Sequence, residues 1–179
     1  MGYVFCTAAT FAATIAFNTA APFLFQETLG LTAIAYGWLA LGVALSYLFG
    51  TASNSVACRY FDPRRLIHFG LGVYFLGVFT LFLQVLLGHV SVLPIASSIM
   101  IILFAGGLIY PNAAALAFEP IESDTGIASA LYGGVQLLAC ALASAVVARL
   151  PETGVGPLAF ILLAIGCMMA WVLTHYINK

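Results

Sequence analysis

Long apolar stretches separated by short polar segments organise this sequence. The charged residues fall at a few positions, and five long stretches between them carry no charge: residues 1–26, 28–58, 66–118, 125–148 and 153–178. Each is long enough for the roughly 20 residues that a membrane-spanning helix requires. The stretch 66–118 holds two such spans, and the segment from Gly88 to Pro94 supplies the turn residues that divide it. We therefore predict a single all-α module over residues 1–179, a bundle of six transmembrane helices at about 3–25, 36–58, 66–87, 93–118, 126–148 and 158–176.

The first predicted helix carries a polar and aromatic stripe. One of its faces, at helical spacing, holds Thr7, Phe11, Thr14 and Asn18. In a bilayer such a face turns toward protein or water. A second interpretation is that the threonines hydrogen-bond their own backbone carbonyls and that Asn18 caps a neighbouring helix. The sequence leaves both interpretations open.

Three other predicted helices combine polar side chains with small residues. The second places Tyr47, Thr51 and Asn54 on one face. The fourth contains Gly106, Gly107, Tyr110, Pro111 and Asn112, and the fifth contains Gly126, Tyr132, Gly133, Gly134 and Gln136. Small residues allow the backbones of spanning helices to approach closely. We therefore expect helices 1, 2, 4 and 5 to form the inner wall of the bundle. The almost wholly apolar helices 3 and 6 are expected at its lipid-facing periphery.

Two residues within these helices have specific physical consequences. Pro111 removes a backbone donor and frees a carbonyl, so we expect a kink that serves either as a hinge beside a binding site or as a packing feature. Gln136 lies near the middle of its helix, where an unpartnered amide costs several kcal/mol. Its side chain should therefore face the bundle interior or a hydrated cavity.

A weak internal repeat indicates a three-plus-three arrangement. The segment FNTAAP of helix 1 corresponds to YPNAAA of helix 4, at a spacing of roughly 90 residues, the scale of the three-helix units found in secondary transporters. Small residues in helices 2 and 5 also correspond, which favours two repeats of three helices each.

Composition makes the bilayer the solvent of this chain. Of its 179 residues, 64% are hydrophobic and 6% are charged, whereas roughly a quarter are charged in an ordinary soluble domain. The net charge of −1 argues against a nucleic-acid partner, which would require clustered basic residues.

No catalytic or metal-binding pattern is found in the sequence. The cysteines are widely separated and no histidine lies at metal-ligand spacing, so neither a zinc site nor a disulfide framework is indicated. The motifs of serine hydrolases, zinc proteases and dinucleotide-binding proteins are missing. We therefore expect a protein that is not an enzyme and that holds no metal and no cofactor.

The distribution of basic residues predicts the orientation in the membrane. Arg59, Arg64 and Arg65 fall in one short segment with Asp62, and the positive-inside rule makes this segment cytoplasmic. Alternating the predicted spans from there places both termini in the cytoplasm. Four of the five basic residues then lie on the inner side.

Several segments of the chain together resemble one transporter family. They are Gly106 to Pro111, Gly126 to Gln136 and the later segment Leu150 to Gly154. This pattern is similar to the carboxy-terminal half of major facilitator superfamily drug:proton antiporters, and among these to the Bcr/CflA (EmrD-like) multidrug efflux group. The segment from Asn54 to Arg65 resembles the second-half counterpart of the basic loop motif of that superfamily.

The resemblance implies a function and a set of partners. Members of the superfamily contain two six-helix halves that rock about a midplane site, so this chain would supply the second half. It implies export of lipophilic small molecules from the inner (plasma) membrane by alternating access. The partner would be an amino-terminal half or a second copy, and that half would supply the proton-coupling acid, since no acid lies inside the predicted spans. The alternative is a truncated or vestigial membrane module without transport of its own.

Candidate residues follow from these patterns. The substrate-cavity candidates are Phe11, Thr14, Asn18, Tyr47, Tyr110, Asn112, Tyr132 and Gln136. The hinge and packing candidates are Gly106, Gly107, Pro111, Gly126, Gly133 and Gly134. The residues of the cytoplasmic loop motif are Asn54, Arg59, Asp62, Arg64 and Arg65.

Overall fold

Helices dominate the structure. The computed structural model of the chain describes residues 2–88, 90–121, 125–149 and 155–177. These residues form the helices α1 Gly2–Pro22, α2 Ala33–Ala57, α3 Pro63–Leu86, α4 Val92–Phe118, α5 Thr125–Val147 and α6 Val155–Val172. α1 continues into a π-helical turn at Phe23–Thr28, and α6 into another at Leu173–Ile177. Six helical segments are long and apolar enough to cross a membrane, which confirms the predicted all-α, six-helix membrane bundle.

Helix starts differ from the sequence prediction because capping residues extend the helices. The pattern predicts starts at 36 and 66, whereas α2 begins at Ala33 and α3 at Pro63. The Thr32 hydroxyl accepts a hydrogen bond from Ala35 N–H at 3.3 Å and so caps α2. Asp62 caps α3 in the same way, and Pro63 suits the first helical position, where its missing donor costs nothing.

The far end of the first span also differs from the prediction. Helical structure continues through Phe23–Thr28, beyond the predicted end at residue 25. Glu27 therefore lies in the last helical turn, where its side chain is exposed, and not in the loop that follows.

The helices pack as two interleaved groups of three. α4 packs on α2 and α3, whereas α1 packs on α5 and α6. α1 also contacts α4, and α3 contacts α6. Exchanging α1 with α4, α2 with α5 and α3 with α6 reproduces the same set of main contacts. The described helices thus form two three-helix repeats, α1–α3 and α4–α6. The second and third helices of each repeat pack on the first helix of the other repeat.

Burial separates the helices differently from the sequence prediction. In the most apolar part of each helix, 56% of the residues are buried in α1 and 61% in α4. The corresponding fractions are 11% in α2 and 17% in α5. α3 and α6 lie between, at 44% each. α2 and α5 are therefore not enclosed by the other helices of this chain, and their place in an inner wall stays a prediction. Polar and small residues mark faces that pack on protein, but they do not say whether that protein belongs to the same module.

Glycines bring α2 and α3 into close contact with α4. A Cβ atom on Gly107 would lie 2.7 Å from both Thr51 N and Tyr47 O of α2, and one on Gly50 would overlap the Phe104 carbonyl. On the α3 side, a Cβ atom on Gly77 would lie 2.6 Å from Ile102 Cγ1. These close approaches are the main device by which spanning helices associate where no hydrophobic effect operates between them.

Candidate functional site

A cavity of about 300 Å³ lies between α1, α2 and α4. Its wall is lined by Thr10, Phe11, Thr14, Phe17, Asn18, Tyr36, Leu39, Ala40, Val43, Ala44, Tyr47, Leu103 and Tyr110. None of these side chains carries a charge. The cavity is therefore an apolar and aromatic chamber with a few hydroxyl and amide groups.

The α1 wall is formed by the stripe that the sequence singles out. Phe11, Thr14 and Asn18 line the cavity together with Thr10 and Phe17, since these positions recur at helical spacing. The Thr10 hydroxyl donates to Cys6 O at 2.7 Å, and the Thr14 hydroxyl donates to Thr10 O at 3.2 Å. Thr7 likewise donates to Val4 O at 2.8 Å, so the interpretation that the threonines of the stripe bond their own backbone is confirmed. The helix cap that it assigned to Asn18 is wrong, since Asn18 caps no helix within the described ranges. Thr10 and Thr14 also line the cavity. Their free lone pairs can still accept a hydrogen bond from a bound molecule.

Asn18 is a polar group of the cavity that is not otherwise engaged. Its side chain is exposed, and it makes no hydrogen bond with the described part of the chain. An amide offers both donors and an acceptor, so Asn18 can bond to either kind of group on a bound molecule.

Aromatic rings of α1 and α4 approach each other in the cavity wall. The Phe11 and Tyr110 rings lie 6.2 Å apart between centroids, tilted by 42°. Gly106 sits between the two walls, since a Cβ atom there would lie 3.3 Å from Thr10 Cγ2 and 3.8 Å from Tyr47 Cε2. Gly106 therefore allows α4 to pack closely against these two cavity residues, although it does not line the cavity itself.

Tyr110 connects the cavity to a polar cluster on α5. Gln136 Nε2 donates to the Tyr110 hydroxyl at 3.2 Å, and Gln136 is 8% exposed. The Tyr132 hydroxyl is buried on the same helix, close to the polar side chains of Thr7, Tyr110 and Gln136. Gln136 thus faces the bundle interior, as the cost of burying an amide requires. Gln136 and Tyr132 do not line the cavity itself.

Asn112 lies away from the cavity, in a pair with Asn54. Asn112 Nδ2 donates to Asn54 Oδ1 at 2.5 Å and to Leu108 O at 2.7 Å, and Cys58 Sγ donates to Asn112 Oδ1 at 3.2 Å. Both asparagines are almost fully buried, at 4% exposure for Asn54 and 2% for Asn112. Asn54 therefore belongs to the α2–α4 contact and not to the loop in which the resemblance places it.

The remaining candidates have distinct locations. Gly107 packs tightly against α2, whereas a Cβ atom added to Gly126, Gly133 or Gly134 would have no described neighbour within 4 Å. α4 remains helical through Pro111. The loop residues Arg59, Asp62, Arg64 and Arg65 are all exposed at the turn between α2 and α3.

Eight cavity residues are missed by the sequence prediction. They are Thr10, Phe17, Tyr36, Leu39, Ala40, Val43, Ala44 and Leu103. Most of them could have been found from helical spacing. Tyr36, Leu39 and Val43 lie on the same face of α2 as Tyr47, three to four residues apart, and all of them fall within the predicted helix 36–58.

No group of three His, Cys, Asp or Glu side chains converges within the described ranges, so no metal site can be assigned there. Comparison with protein-family models finds no family that matches this chain, and no curated protein matches it.

Proposed function

We propose that this chain is the carboxy-terminal half of a multidrug efflux proton antiporter that exports lipophilic small molecules by alternating access. The proposal rests on the resemblance of the helix 4–5 segments together with one structural observation. That observation is the charge-free cavity between α1, α2 and α4, which is lined by aromatic rings and a small number of polar groups.

The chemistry of the cavity favours lipophilic substrates of varied structure. A chamber of about 300 Å³ falls at the small end of ligand sites and suits a small molecule or part of a larger one. Apolar and aromatic walls bind through contact area, which tolerates differences in substrate shape. Asn18 and the hydroxyl of Tyr110 supply orientation without demanding one fixed hydrogen-bond pattern.

The exposure of α2 and α5 supports a partner half. These two helices occupy equivalent positions in the two repeats and are the least buried of the six. In the proposed transporter their open faces would pack on an amino-terminal six-helix half or on a second copy. The cavity would then lie between the two halves, close to the rocking axis.

Proton coupling is assigned to the partner. No Asp or Glu occurs within α1 to α6, and Glu27 sits exposed in the π-helical turn after α1. A proton relay through a spanning segment requires ionisable groups. In this proposal the chain supplies the substrate-binding wall in the inner (plasma) membrane, with both termini in the cytoplasm.

The test is efflux by cells. Efflux-deficient cells expressing the chain alone, or with a candidate amino-terminal half, are loaded with a fluorescent lipophilic cation, with and without an uncoupler. We expect lower accumulation of the cation, and we expect the uncoupler to abolish that difference. Phe11→Ala should weaken apparent affinity about tenfold, the weight of one buried phenyl ring. Phe79→Ala is the matched control, because Phe79 is an exposed phenylalanine of α3 outside the cavity.

A negative result supports the alternative of a vestigial module. Unchanged accumulation with both expression schemes, while the protein is present in the membrane, would contradict efflux of that compound by this chain. Equal effects of Phe11→Ala and Phe79→Ala would contradict the assignment of the cavity even if efflux occurs. The orientation is tested separately by labelling a cysteine introduced at either terminus from the outside of intact cells.

A further inference from the structure

The connection between α2 and α3 is short and held by hydrogen bonds. Phe61 N–H donates to Ala57 O at 2.9 Å as α2 ends, and Leu66 N–H donates to Asp62 O at 3.2 Å as α3 begins. Only residues 58–62 lie between the two helices. Side chains on this turn therefore project from a fixed backbone.

Three arginines, one in this turn and two in the first turn of α3, have no carboxylate partner in the described part of the chain. Arg59, Arg64 and Arg65 are exposed and make no ion pair with any described residue. Asp62 is the nearest acid in sequence, and its carboxylate accepts the Arg64 backbone N–H at 2.7 Å, so it serves as a helix cap. Glu119 follows α4 at the same end of the bundle, where the contact of Cys58 with Asn112 brings α2 and α4 together, and it too makes no ion pair within the described ranges.

Exposed aromatic rings accompany the arginines. Tyr60 is 77% exposed, Phe61 is 55% exposed, and Phe69, on the second turn of α3, is 64% exposed. Aromatic side chains of this kind are enriched at the boundary between lipid and water. The turn thus offers apolar rings at the level of the headgroups and guanidinium groups beside them.

We propose that this surface, the arginine turn (Arg59, Tyr60, Phe61, Arg64 and Arg65), binds the phosphate of anionic phospholipids. Guanidinium groups match phosphate oxygens in a paired geometry, and basic residues beside a span attract anionic lipid. The bilayer around the six spans is the source of phosphate next to this turn. The exposed rings favour a lipid over free phosphate, because only a lipid supplies acyl chains against which the rings can be buried. This inference does not depend on the proposed transport function.

The experiment measures lipid binding by the purified full chain in a neutral detergent. Fluorescently labelled phosphatidylglycerol is titrated, with labelled phosphatidylcholine as the comparison. The variant Arg59→Gln/Arg64→Gln/Arg65→Gln should lose about fivefold in affinity per arginine, the weight of one basic residue at an anionic surface. Arg149→Gln is the matched control, since Arg149 is an exposed arginine just after α5, and it should bind as the wild type does.

Competition distinguishes the two sources of phosphate. Inorganic phosphate and glycerol phosphate should displace the lipid poorly, and Tyr60→Ala/Phe61→Ala should weaken lipid binding. Equal binding of the two lipids, or wild-type affinity in the triple variant, would overturn the proposal. Full displacement by inorganic phosphate with no effect of the aromatic changes would replace the lipid with a free anion. If the triple variant does not fold, the lipid affinities of the single variants Arg64→Gln and Arg65→Gln provide the test.

Discussion

α2 and α5 occupy equivalent positions in the two repeats, yet they are attached to the bundle by different means. α2 lies on α4 through the backbone contact of Gly50 and Gly107 and through the buried pair of Asn54 and Asn112. α5 lies mainly on α1, and its own glycines at Gly126, Gly133 and Gly134 have open space beside them. The two repeats share the arrangement of their helices without sharing the chemistry of the contacts.

The packing of α5 on its neighbours also leaves a groove. A groove of about 380 Å³ runs between α1, α5 and α6, and its floor is formed by alanines of α1, Ala8, Ala9 and Ala12. Polar links to α5 are few within the described ranges: Gln136 reaches Tyr110, and the Ser144 hydroxyl lies 3.2 Å from that of Thr19. A small buried fraction therefore does not by itself indicate a loose helix, since α2 is the less buried of the two and the more closely packed.

The largest expected difference is between two glycine-to-alanine changes. Gly107→Ala forces a methyl group against the α2 backbone, which cannot move aside as a flexible side chain could, and should cost about 3 kcal/mol of stability. Gly134→Ala meets no described neighbour and should stabilise by up to about 1 kcal/mol through helix propensity. Thermal unfolding of the purified variants measures both. Loss of stability in Gly134→Ala would indicate that the α5 face is packed in the protein as isolated.

The amide pair provides the second expected difference. Asn112→Leu removes the donor to Asn54 and leaves a buried amide without its partner, which should cost about 1 to 2 kcal/mol. A double-mutant cycle with Asn54→Leu separates the pair from its surroundings. Additive effects of the two changes would show that the pair does not hold α2 to α4.

Gln136→Leu, which weakens the attachment of α5, should lower the stability less than Asn112→Leu does. It removes one hydrogen bond to Tyr110, whose side chain is only partly buried, so the expected cost is about 0.6 kcal/mol, the average for such bonds between spanning helices. Unfolding in denaturant measures the change. A loss of stability equal to that of Asn112→Leu would mean that hydrogen bonds hold α2 and α5 to the bundle equally strongly.

Thr19→Val should have the smallest effect. The Thr19 hydroxyl lies 3.2 Å from that of Ser144 and also donates to Ile15 O of its own helix at 2.9 Å. Removing it should cost less than about 0.5 kcal/mol of stability in the same denaturant unfolding, because valine has similar volume and higher apolarity in lipid. Thr14→Val is the matched control, since the Thr14 hydroxyl bonds within α1. A larger loss in Thr19→Val than in Gln136→Leu would identify Thr19 as the main attachment of α5.

The cavity shows which parts of a site can be predicted from sequence. Phe11, Thr14 and Asn18 share a face that any regular helix must present together, and Tyr47 and Tyr110 join them in the structure. Asn112 follows Tyr110 by two residues, which rotates it to another face of α4 and against Asn54. Sequence spacing gives the faces of each helix, but it does not give the helix that each face meets.

The sequence by itself determined the six spans, the all-helical bundle and the uncharged interior. In a bilayer every backbone polar group must be satisfied within the segment, so length and hydropathy are sufficient to specify a spanning helix. Only the tertiary structure decided which glycines pack, which amides pair and why α2 and α5 are left open. Lipid is as apolar as the side chains that face it, so the pairing of helices depends on the shape and hydrogen bonding of particular surfaces. Those are properties of two helices together, and the pattern along one helix does not contain them.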